Sequence, residues 1–112
     1  MSKKIVIYGA GGFGREVQWL IERINQQEPT WEILGYVDDG VQKGNIIDDC
    51  KVIGGIDYLL KFEEELAVAF AVGSAKVRRK LVDKCKKNPK LYYPNLIDPS
   101  VIFSNRIMYG KG

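Results

Sequence analysis

Residues 4–8, Lys-Ile-Val-Ile-Tyr, run without a break into Gly9-Ala10-Gly11-Gly12-Phe13-Gly14. A short, β-branched apolar run bounded by glycines reads as a strand buried on both faces, the kind that parallel sheets use. From Gly14 to about Gln27 the period changes. Val17, Leu20, Ile21 and Ile24 recur at helical spacing, and Pro29 lies just past the end. Strand, glycine turn and amphipathic helix in that order make the first half of a βαβ unit, which commits the chain to a parallel sheet with right-handed crossovers.

The alternation continues. Trp31–Val37 reads as a second strand, stopped by the turn signal Asp38-Asp39-Gly40. Residues 41–51 are polar and read as loop, and Val52-Ile53 as a short strand or edge segment. A short helix over 56–62 leads to the acidic run Glu63-Glu64-Glu65. Residues 66–72 form the next clear strand, broken by Gly73. Ser74 is placed to cap a helix reaching Lys87, with Val77, Leu81 and Cys85 on one face. Asn88-Pro89 closes it, and Leu91-Tyr92-Tyr93 is a last short strand. The expected fold class is α/β, a small Rossmann-like doubly wound parallel sheet over residues 1–94. From Pro94 onward the helical period is gone. Val101 and Ile107 stand six residues apart, but one interval is not a repeat.

Gly9-x-Gly11-x-x-Gly14 has the dinucleotide-fold spacing in its proper context, strand before and helix after. Gly9 permits the tight turn, Gly11 lets backbone approach a phosphate, and Gly14 lets helix and strand pack closely. Gly12 adds backbone freedom. Phe13 lies within the motif, and Arg15 in the first helical turn is placed to reach a phosphate or to pair locally. The helix dipole favours an anion there. Asp38 ends the second strand, where a Rossmann domain holds a ribose hydroxyl; the other reading of Asp38 and Asp39 is turn chemistry. Gly73-Ser74 falls on the same sheet edge and borders the same crevice, with Ser74 serving also as a helix cap. A tight turn with no ligand is the competing account of the whole motif.

Composition narrows the classes. At 112 residues, with 46% hydrophobic and 28% charged residues, the chain is one ordinary globular domain. A net charge of +3 is too weak to imply nucleic acid, and Lys84, Lys86, Lys87 and Lys90 cluster at a helix end, where cations complement the dipole. Cys50 and Cys85 match neither a metal spacing nor a disulfide framework, which suits a reduced, cytoplasmic chain. The first apolar run is too short for a secretory signal or a membrane span. There is no histidine, so the commonest general base is missing. No paired carboxylates, nucleophile–base set or metal cluster stands out.

Taken together, the segments resemble a known family. Residues 4–17, with Gly9, Gly11, Gly12, Gly14 and Arg15, look like the opening of bacterial nucleotide-sugar acetyltransferases of the sialic acid O-acetyltransferase (PglD/NeuD-like) type. Leu34-Gly35-Tyr36-Val37-Asp38-Asp39 is similar to their second-strand signature. Val52-Ile53-Gly54-Gly55 resembles the next segment, and Ala71-Val72-Gly73-Ser74 with Arg78 and Arg79 resembles the third strand and helix. Leu96-Ile97-Asp98-Pro99-Ser100-Val101 resembles the entry to a left-handed β-helix, making residues 95–112 a linker and the first coil of a truncated hexapeptide domain.

The resemblance implies that this N-terminal domain binds a UDP-linked amino sugar. Gly9, Gly11, Gly12 and Gly14 would hold the pyrophosphate, with Phe13 and Arg15 beside them. Asp38 and Asp39 would face the nucleoside, and Gly73 with Ser74 would line the other side. Phe13 and Asp98 stand where many relatives carry histidine. The β-helix of the longer protein would bind acetyl-CoA, form a homotrimer and supply the catalytic histidine. The chain alone would hold no cofactor, bind without catalysing, and be a monomer or weak dimer, with no nucleic-acid or membrane partner. Two other readings stay open: an NAD(P)- or CoA-binding regulatory domain, and an interaction module whose glycine turn is vestigial.

Overall fold

The protein is described by a computed structural model covering residues 2–47 and 49–96. The hexapeptide-like stretch from Ile97 to Ile107 lies outside the described residues. Among the described residues nine elements follow one another: β1 (Lys3–Tyr8), α1 (Gly12–Gln27), β2 (Trp31–Val37), β3 (Ile46–Ile47), β4 (Cys50–Gly54), α2 (Ile56–Lys61), β5 (Leu66–Phe70), α3 (Ala75–Cys85) and β6 (Leu91–Tyr92). They build one six-stranded sheet in the order β3-β4-β2-β1-β5-β6.

β1 is the centre of this sheet, paired in parallel with β2 on one side and β5 on the other. Its alternation explains the two layers. Ile5 and Ile7 point to one face and join Ile21 of α1 with Tyr36, Val52, Ala67 and Ala69. Val6 and Tyr8 point to the other and join Leu59 of α2, Leu81 and Cys85 of α3, Val37, Leu66 and Val68. Ile5, Val6 and Ile7 are wholly buried, each stabilising the fold by roughly 1.5–3 kcal/mol relative to exposure. A central strand wedged between two helical layers must be apolar at every position, and the opening run of the sequence is.

The structure departs from the expected layout at the sheet's outer edge. Residues 41–51, read as loop, contain β3 and the start of β4, which pair antiparallel through Ile46↔Lys51 and Ile47↔Cys50. The sheet is therefore mixed: β4, β2, β1, β5 and β6 run parallel, and β3 adds an antiparallel hairpin on the β4 edge. Other boundaries shift by a turn or less. α1 begins at Gly12, two residues before Gly14; β5 ends at Phe70; and α3 ends at Cys85. On the expected apolar face of α3, Val77 is exposed at 43%, while Leu81 and Cys85 are buried. α1 also buries Gly14 and Gln18 with Ile21. Gln18 is tolerated in the core because the Tyr36 hydroxyl donates to its Oε1 at 2.5 Å.

Candidate functional site

Past the ends of the strands the backbone ladder continues for one more residue. The Gly9 N–H donates to the Val37 carbonyl (2.9 Å), the Ala71 N–H to Tyr8 (2.8 Å) and the Asp38 N–H to Gly54 (2.9 Å). The carboxyl edge of the sheet is thereby a single row in which the β1–α1, β2–β3 and β5–α3 connections stand side by side. β1 crosses through α1 to β2 on one flank, while β5 lies on the other, so the chain reverses direction between β1 and β5. That is the crevice in which open α/β sheets take their ligands.

The glycines of the first turn divide into two kinds. Gly9 has φ +113°, and a Cβ there would lie 2.7 Å from the Ala71 carbonyl oxygen; at Gly14 it would lie 2.1 Å from the Gly9 carbonyl oxygen and 3.1 Å from the Tyr36 ring. These two are demanded by the fold. Around Gly11 and Gly12 a Cβ would meet nothing within 4 Å, and the same holds at Gly73 on the neighbouring connection. The protein's own packing does not ask for glycine at these three positions.

Gly11 is the N-cap of α1 and offers no side-chain cap, and the first turn contains no acid. The N–H groups of the first turn have no intrahelical acceptor, and Arg15 adds a full positive charge where a helix normally favours an acid. A cleft of about 440 Å³ opens here, lined by Ala10, Gly11, Gly12, Arg15, Ile46 and Ile47. Ile46 is 66% exposed. One wall is thus backbone amide and cation, and the opposite wall is the apolar edge of the β3–β4 hairpin. The two isoleucines were not legible as site residues. Their one signal is an apolar pair stranded within a polar segment.

Asp38 and Asp39 take different positions. Asp38 Oδ2 accepts the Ala10 N–H (2.9 Å) and Oδ1 accepts the Gly40 N–H (2.8 Å), so this carboxylate holds the glycine turn and closes its own turn at once. Asp39 faces the other layer. Its Oδ1 accepts the Ile56 N–H at the start of α2 (3.0 Å), and its Oδ2 accepts the Tyr8 hydroxyl. Burial first, then this hydrogen bond and the two aspartate charges, push the Tyr8 phenol far above its ordinary pKa. Ser74 acts as the N-cap of α3, its Oγ accepting from Val77 N–H at 3.3 Å. Phe13 is 48% exposed beside the turn. Phe13, Asp38, Asp39, Gly73 and Ser74 all lie outside the lining of the 440 Å³ cleft. Gly9 and Ala71 in contact bring the Gly73-Ser74 connection against the glycine turn.

Among the described residues no group of three His, Cys, Asp or Glu side chains converges as a metal site. No helix among them is long and apolar enough to cross a membrane.

A glycine turn opening a helix whose first turn holds no acid, set at the reversal point of an α/β sheet, defines the class of Rossmann-like domains. The sequence model of the PglD N-terminal domain matches residues 4–85, and the chain belongs to that family. Among solved structures it is similar to the acetyltransferase domain of PglB from Neisseria gonorrhoeae FA1090, in complex with acetyl coenzyme A, at 25% identity and a TM-score of 0.57. That likeness covers 77% of this chain and 40% of the other, so the chain spans less than half the length of the protein it resembles. None of the curated proteins matches it.

Proposed function

We propose that this chain is the nucleotide-sugar-binding domain of an acetyl-CoA-dependent sugar acetyltransferase, and that it positions a UDP-linked amino sugar without itself catalysing transfer. One observation carries the reading: Gly11 and Gly12 are free of internal neighbours, on a helix start that has Arg15 and no acid, along an open cleft. Only an approaching ligand gives the lack of side chains there a purpose.

In this reading the phosphates lie on the first-turn amides of α1, with Gly9 and Gly14 shaping the turn and Arg15 and Phe13 flanking it. The nucleoside lies toward Asp38 and Asp39, against Ile46 and Ile47. Asp38 keeps a lone pair on each oxygen beyond those its two amide donors use, enough to accept a ribose hydroxyl. Gly73 and Ser74 border the opposite end. In the full enzyme, acetyl transfer would form the new amide or ester bond to the sugar's amino or hydroxyl group and break the C–S bond of the thioester, releasing CoA as its thiol, with a base removing the acceptor's proton. With no histidine in the sequence, the β-helix of the full acetyltransferase would supply the base, assemble the homotrimer and hold acetyl-CoA in the cytoplasm.

Calorimetry on the chain decides the matter. UDP-N-acetyl sugars should bind, and acetyl-CoA should not. Tight NAD binding without UDP-sugar binding would falsify the reading in favour of a regulatory dinucleotide domain, and no binding at all would leave an interaction module.

A further inference from the structure

Of the cations on α3, Arg78 has a buried donor atom with no partner among the described residues. The residue is partly buried, and that atom, its Nε, has essentially no solvent exposure. A buried guanidinium N–H without an acceptor is costly, and such groups call for an explanation. Its place in the chain suggests one. The Arg78 N–H closes the first turn of α3 onto the Ser74 carbonyl at 3.0 Å, one helical turn beyond Gly73. Side chains on a helix lean back toward its N-terminus, the end of α3 at which the Gly73-Ser74 connection lies. There a Cβ on Gly73 would meet nothing within 4 Å. The flanking residues add no acid: the first turn of α3 contains none.

Resting on the nucleotide-sugar reading above, the geometry points to Arg78 as a ligand-binding residue: its guanidinium, unanchored at Nε in the free chain, turns outward to donate to the sugar-proximal phosphate of the diphosphate. The order of strands sets the order of groups. β2 carries Asp38 and the nucleoside end, β1 carries the glycine turn and the first phosphate, and β5 with α3 lies on the far side of the crevice. A diphosphate lying on the α1 amides and running from β2 toward β5 turns the outer oxygens of its second phosphate toward Gly73 and Arg78. A rigid fork of N–H donors suits a phosphoryl oxygen better than a single ammonium does.

The test compares Arg78→Met with Arg79→Met, which removes the same charge from its exposed neighbour, by titrating the full chain with UDP and UMP. Arg78→Met should weaken UDP by roughly 10- to 100-fold and leave UMP within a few-fold. Arg79→Met should change both only slightly. Because Nε has no acceptor in the free chain, Arg78→Met should also keep or raise the Tm. A variant that lowers the Tm and binds UDP like the parent would make Arg78 a structural residue and overturn the inference, while the nucleotide reading stood. Equal losses for UDP and UMP would overturn the assignment to the second phosphate. Failure of the parent chain to bind either nucleotide would overturn the nucleotide reading, and this inference with it.

Discussion

Gly11 and Gly14 are three residues apart in one turn and answer to different demands. A methyl group at Gly14 would be driven to 2.1 Å from the Gly9 carbonyl oxygen, so helix and strand must separate to admit it. Gly14→Ala should cost about 2–4 kcal/mol, read as a fall in the urea midpoint. Gly11→Ala meets no neighbour, and at an N-cap should cost at most about 1 kcal/mol; its effect should instead be a tenfold or greater loss of UDP-sugar affinity. Normal binding by Gly11→Ala would remove the phosphate cradle from the account. Tyr93 gives a separate test. Burial first, then the charge and hydrogen bond of the Cys85 thiol, raise its phenol to about 12. The folded chain therefore holds this proton through a range in which the unfolded chain has lost it. Stability contributed by the neutral phenol is complete below pH 10 and is lost as pH rises from 10 toward 12. Urea midpoints across that range should fall, and Tyr93→Phe should reduce the slope. A slope unchanged by Tyr93→Phe would show that Tyr93 has no part in it.

At the scale of elements, the site depends on how three connections are tied together. Asp39 accepts from both Tyr8 of β1 and Ile56 of α2. Asp39→Ala would strand the Tyr8 hydroxyl in a part-buried place and free the start of α2, a loss of about 2–3 kcal/mol. Tyr8→Phe combined with Asp39→Ala should recover part of that loss, and an additive double mutant would mean the pair is not coupled. Which elements could be read in advance follows from the same physics. β1, β2 and β5 are apolar on both faces, so hydrophobic runs betray them. The β3–β4 hairpin could not be read, because β3 is two residues long on an outer edge, where exposed Ile46 and partly buried Ile47 are too short a run to display alternation. Gln18 was equally hidden: a polar residue enters a core only when a partner from a distant strand, here Tyr36, arrives to meet it. The glycine turn was legible because close approach leaves a mark in the residue types. The isoleucine wall opposite was not, since it exists only once the sheet has formed.

At the scale of the whole molecule, the two layers are unequal. α1 alone covers one face and α2 with α3 covers the other, and the reversal between β1 and β5 sets the crevice at the boundary. We expect the chain to sediment as a monomer or weak dimer, since association in the proposed acetyltransferase belongs to the β-helix. A stable trimer of these 112 residues would place the association surface within this domain. The crevice is also preformed. The Ala10 N–H, on an open turn at the mouth of the cleft, is bonded to the Asp38 carboxylate and not to solvent. That makes one amide a reporter for the entire site. Its exchange with deuterated solvent should be slow in the free chain, keeping pace with opening of the sheet end. Its proton resonance should move when a ribose hydroxyl comes to share the same carboxylate.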